Sequence, residues 1–200
     1  LIEGSAAKDE YVELYNPTTA DVNLEGWKLT KATASGNETN LITTFPNIII
    51  PAHGSFLICA PDAATCGGHG DTIYTTTNTI ATDNTVTLKN GEGVIVDRVG
   101  FGEATLREGS TIANPPDGQV LERKPGGANG NGQDTDNNAN DFQTATPSPQ
   151  NRTQIPRPAL AEPAQPASST PTPLSGGTSG GSTSSSPQPS TLNLKPKTSL

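Results

Sequence analysis

In Asp9-Glu-Tyr-Val-Glu-Leu-Tyr-Asn-Pro17, Val12 and Leu14 alternate with Tyr11, Glu13 and Tyr15. A period of two sends the first pair to one side and the second set to the other, the pattern of a half-buried β-strand. Asn16-Pro17 stops the strand, because proline has no N–H to donate and turns its neighbour away from helix. Gly26-Trp-Lys-Leu29 then opens a second strand that carries the only tryptophan, Trp27.

The pattern repeats along the chain. Leu41-Ile-Thr-Thr-Phe45, Ile48-Ile-Ile50 and Ser55-Phe-Leu-Ile-Cys59 are short, apolar and each closed by a proline within two residues. Asn84-Thr-Val-Thr-Leu-Lys89 and Val94-Ile-Val-Asp-Arg-Val-Gly100 flank Asn90-Gly-Glu-Gly93 and read as a hairpin, with Asn-Gly supplying the positive φ of a tight turn. Gln119-Val-Leu-Glu-Arg123 is a late strand, and Asp141-Phe-Gln143 a last edge. No stretch shows the 3.6-residue stripe of a helix. Many short strands between turn residues predict an all-β sandwich or barrel. Its expected core includes Val12, Leu14, Trp27, Leu88 and Val96. Trp27 alone could instead be an exposed platform, but a lone indole beside a strand fits the centre of a small core.

Composition divides the chain. Apolar residues make up 30% of the whole, well below a globular average. The deficit falls in residues 152–200, where Pro, Ser, Thr and Gly dominate and little apolar surface exists to offset chain entropy. The expectation is one β-domain over residues 1–151 and a disordered Pro/Ser/Thr/Gly-rich linker or stalk over 152–200. Residues 1–150 hold 8 Lys and Arg against 19 Asp and Glu, about −11, within a total of −8. An acidic domain without a basic stripe is a poor partner for nucleic-acid phosphates. The longest apolar run, Phe56-Leu-Ile-Cys-Ala60, is far too short to span a membrane. No signal peptide is seen, and the opening Leu1-Ile-Glu3 reads as a mature or truncated start.

Cys59 and Cys66 are the only cysteines. An even pair this close fits a disulfide and an oxidising compartment, the alternative being two free thiols. His69 adds a third ligand to a zinc arrangement, which lacks the fourth ligand and tight Cys spacing of structural sites. Asp134, Asp136, Asn138 and Asp141 resemble the start of a calcium loop, although Ala139 stands where such loops have glycine and Ala145 where they have a bidentate glutamate. No nucleophile with a histidine partner, phosphate loop or dinucleotide fingerprint is present. The expectation is therefore no enzyme and no cofactor, with calcium as the one open alternative.

The strand ending in Asn16-Pro17, Gly26-Trp-Lys-Leu29, Ile50-Pro-Ala-His-Gly-Ser-Phe-Leu-Ile58, Thr85-Val-Thr-Leu-Lys89 with Val94-Ile-Val-Asp-Arg-Val-Gly-Phe-Gly102, Leu121-Glu-Arg-Lys124 and Asp134 to Phe142 form an ordered series. With Pro147-Ser-Pro-Gln-Asn151, that series resembles the lamin tail domain of the bacterial kind over about residues 1–151. The resemblance implies an immunoglobulin-like β-sandwich without catalytic machinery, often exported and often joined by linkers to other domains, including surface-attached hydrolases and nucleases. It also implies that the Asp and Asn side chains before Phe142 hold a turn. The chain departs from the family at its start, where only Leu1-Ile-Glu3 remains of the opening strand; a short first strand would leave a sheet edge for a partner. The functional expectation is an extracellular, cell-surface or periplasmic module for adhesion or positioning, with an unknown protein or surface polymer as partner. The alternatives are an accessory domain of a larger hydrolase and a calcium-dependent ligand-binding domain.

Overall fold

Short β-branched runs between turn residues become twelve strands among the described residues of the computed structural model, which are 2–3 (backbone), 10–61, 63, 66–74 and 79–153. They are β1 (Ile2–Glu3), β2 (Tyr11–Tyr15), β3 (Val22–Asn23), β4 (Lys28–Ala32), β5 (Glu38–Ile42), β6 (Ile49–Ile50), β7 (Ser55–Cys59), β8 (Thr72–Ile73), β9 (Thr85–Lys89), β10 (Ile95–Gly100), β11 (Val120–Arg123) and β12 (Phe142–Ala145). One helical turn, α1 (Asn138–Asp141), precedes β12.

An antiparallel sheet in the order β10-β9-β4-β5 forms one layer. Opposite it lie β1-β11-β12, β2-β7-β8 and the short pair β3-β6. All pairings are antiparallel except β7 with β8. Val12, Phe56, Ile58 and Leu121 face Leu29, Leu41 and Val86 across the larger apolar core. Phe45 meets Phe56 edge to face, with ring centroids 6.1 Å apart, the arrangement aromatic quadrupoles favour.

The alternation in β2 divides its side chains as expected. Val12 enters this core, while Tyr11 joins Leu57, Cys59, Cys66 and Val120 in a second cluster behind the sheet. The strand is therefore buried on both sides at Tyr11, Val12 and Glu13 rather than half-buried. Part of the cover is the segment after β12. Gln150 N–H donates to Glu13 Oε2 (2.9 Å), Asn151 Nδ2 to the His69 carbonyl (2.9 Å) and Arg152 N–H to Asp71 Oδ2 (2.8 Å). Arg152 and Thr153 are thus placed beside β8; the rest of the expected linker, 154–200, lies outside the described residues.

Asn16 does more than end β2. Its buried amide donates to the carbonyls of Ala20 (2.8 Å), Ile50 (3.2 Å) and Pro51 (3.0 Å), stitching the turn to β6. Gly26, at φ 76, makes the turn into β4 that a side chain would resist. The β9–β10 connection spans Asn90 to Val94, longer than the tight Asn-Gly turn the sequence suggests. Gly93, not Asn90 or Gly91, holds the positive φ, and Asn90 Oδ1 accepts from Glu92 and Val94 N–H. The segment 101–112 folds back onto the four-stranded sheet. At Gly100 a Cβ would lie 2.5 Å from the Leu106 carbonyl oxygen, so only glycine permits that approach.

Candidate binding cleft between the layers

β10 is an end strand of its sheet, and its ladder with β9 is irregular. Ile95 pairs with Lys89 and Asp97 with Leu88, leaving Val96 as an extra residue. Such a bulge re-aims side chains. Here Val96 and Asp97 both turn toward the gap between the layers, where a cavity of about 230 Å³ opens. Val12, Leu14, Leu29, Val86, Leu88, Val99, Leu121 and Phe142 give it aliphatic walls and an aromatic floor. Asp97, Arg123 and Asp134 line it with charge, whereas the Glu13 carboxylate is taken up by Ser55 Oγ and Gln150 N–H on the other face of β2.

The alternation of β11 puts Leu121 and Arg123 on this side. The Arg123 side chain, only 12% exposed, pairs with Asp97 and donates from Nη1 to the Gln133 carbonyl (2.8 Å). It lies 3.7 Å from Asp134 Oδ1 and 3.9 Å from Asp141 Oδ2, and its guanidinium carbon sits 4.5 Å from the Phe142 ring centroid. One cation thus serves three carboxylates.

The predicted core residues divide around this cleft. Val12 is buried. Leu14 and Leu88 are half-buried and pack against the core from the cleft wall. Val96 stands outside the core cluster, because the bulge places it at the opening. Trp27 is also half-buried, on the flank of the core rather than at its centre. The Gly26 turn sets it just before β4, and Leu29, Phe45, Phe56 and Ile58 fill the middle.

The four oxygen-bearing residues do not converge on a common point for a cation. Asp141 is fully buried, and its carboxylate accepts from Thr135 N–H (2.8 Å), Thr135 Oγ1 (2.8 Å), Asn137 N–H (3.2 Å) and Gln133 Nε2 (3.4 Å). Burial opposes its charge, but these donors outweigh it and hold the carboxyl below the usual range. Asn138, equally buried, faces another way. Its Oδ1 accepts from Gly100 N–H (2.8 Å) and Glu108 N–H (3.2 Å), and its Nδ2 donates to the Arg98 carbonyl (2.8 Å). Asp134 accepts from Asp136 N–H (3.2 Å), and Asp136 adopts a positive φ of 56°. Among the described residues, no group of three or more His, Cys, Asp or Glu is placed to hold a metal ion. Short polar side chains here hold a turn.

Cys59 and Cys66 are joined, with an S–S distance of 2.03 Å, and both are buried in the second cluster. Their sulfurs are thereby withdrawn from any zinc arrangement with His69, whose carbonyl accepts from Asn151. No helix among the described residues is long and apolar enough to cross a membrane.

Sequence reasoning missed Asp97, Arg123 and Asn138 in these roles. A run such as Val94-Ile-Val-Asp97 does not reveal which residue is left unpaired; only the partner strand does. The cleft offers apolar contact and surplus negative charge, which are properties of a binding surface.

The family model of the Lamin Tail Domain matches residues 1–103. No curated protein matches the chain. The matched stretch contains β1 to β10, and β11 and β12 complete the layer that β1 begins. An immunoglobulin-like sandwich of this kind is consistent with a non-catalytic binding module. Matched over more than half of its 200 residues, the chain belongs to the lamin tail domain family.

Proposed function

We propose that this chain is a non-catalytic, exported binding or scaffold module that mediates adhesion or positions attached domains at the cell surface. The observation that carries the reading is the buried Cys59–Cys66 disulfide. Structural disulfides belong to oxidising compartments and are rare in a reducing cytosol. The partner in this reading is a protein or surface polymer rather than nucleic acid, given the acidity of residues 1–150. This reading assigns no role to a metal; the Asp141 carboxylate and the Asn138 amide serve the turn and β10.

Cell fractionation with an immunoblot against residues 1–150 tests this. The module is expected in the medium, the periplasm or the surface fraction with its cysteines oxidised. A cytosolic protein with both thiols free to alkylating reagent would refute export. A species much heavier than 20.6 kDa would make this the accessory domain of a larger surface-associated protein, such as a hydrolase.

A further inference from the structure

Building on the binding-module reading, we propose that the inter-layer cleft recognises an extended segment of a partner protein by one aliphatic anchor residue flanked by Lys or Arg. Size selects the class of occupant. About 230 Å³ falls below the roughly 300–1,000 Å³ of pockets that enclose drug-sized ligands. It suits one leucine-sized side chain, and protein partners concentrate their affinity in a few such anchors. The half-buried walls Leu14, Leu88, Val96 and Val99 expose aliphatic surface that an anchor would cover.

Charge selects the flanks. Asp97, Asp134 and Asp141 share the single guanidinium of Arg123, so the cluster keeps surplus negative charge. The Asp134 side chain is 54% exposed and faces incoming solute. A lysine or arginine beside the anchor would be attracted there and an acidic residue repelled. The segment need not add a strand to β10, because Asn138 already holds the Arg98 carbonyl and the Gly100 N–H. Recognition then rests on the anchor and its flanks.

Two synthetic heptapeptides serve as probes, one with leucine between two lysines and one with leucine between two glutamates. Each is titrated into the ¹⁵N-labelled full chain and followed by amide chemical shifts. The lysine peptide is expected to shift Leu14, Leu88, Val96 and Asp97 saturably, and the glutamate peptide to bind about tenfold more weakly or worse. Asp134→Asn should weaken the lysine peptide by about threefold. Val96→Trp, which fills the opening, should abolish binding while the amide spectrum stays dispersed. If that variant does not fold, Val96→Lys replaces it and should weaken the lysine peptide by placing a like charge at the mouth. Absence of saturable shifts at the cleft, equal binding of the two peptides, or a folded Val96 variant that binds as well as the parent would each overturn the proposal. A protein found exported but silent in these titrations would keep the binding-module reading and lose this site.

Discussion

Asp141 and Asn138 stand three residues apart, both fully buried, and do opposite work. Asp141 gathers donors from its own loop; Asn138 reaches out to β10 and the segment before Ser110. The lowered carboxyl of Asp141 makes stability depend on pH in a defined direction. Its unfolded value is near 3.9 and its folded value is lower, so its contribution is complete above about pH 4 and is lost as pH falls through the folded value. Asp141→Asn should cost about 1–3 kcal/mol at pH 7 in urea denaturation, and the gap to the parent should narrow below about pH 4. A gap that stays constant from pH 7 to pH 2 would show that the charge plays no part. Calcium-loop and turn-forming roles draw on the same residue types, so the sequence shows the oxygens without showing where they point. Trp27 carries a similar lesson: ring size gives its potential for burial, and the turn at Gly26 sets its place on the flank of the core.

Among the elements, β2 was legible from its alternation and the Asn16-Pro17 stop, β7 from an apolar run between Gly54 and Pro61, and β9 from its alternation between Asn84 and Asn90. β8 was not, since Thr72 and Ile73 show no pattern and find order only by pairing with β7. Cys59 and Cys66 close a loop covalently in the same neighbourhood. A closed loop of this length restricts the unfolded chain by about 2.5 kcal/mol. Cys59→Ser with Cys66→Ser should therefore lower unfolding free energy by about 2–3 kcal/mol relative to the oxidised parent, read by denaturant titration. A loss within about 0.5 kcal/mol of zero would mean that the second cluster holds the loop without the bridge.

For the whole molecule, the division into a β-domain and a low-complexity remainder came from composition alone, but composition could not show how the domain is closed. The family match ends at residue 103, yet the described structure continues through β11, α1, β12 and on to Thr153. Residues 150–152 reach back to Glu13, His69 and Asp71, across more than 80 positions of sequence in each case. A chain ended at Pro149 should accordingly be about 2–4 kcal/mol less stable than one ended at Thr153, since it loses these three hydrogen bonds, two of them to carboxylates. Equal melting temperatures for the two would place the folding boundary before Gln150.

The Asn138 amide also bears on how this protein keeps company with its own copies. Donating to the Arg98 carbonyl and accepting from the Gly100 N–H, it occupies one end strand as a neighbouring parallel strand would. Uncovered end strands template sheet growth between molecules and begin aggregation. Asn138, which sequence alone presents as a cation ligand, covers that route at Arg98 and Gly100 together with Ile112, whose N–H donates to the Gly100 carbonyl.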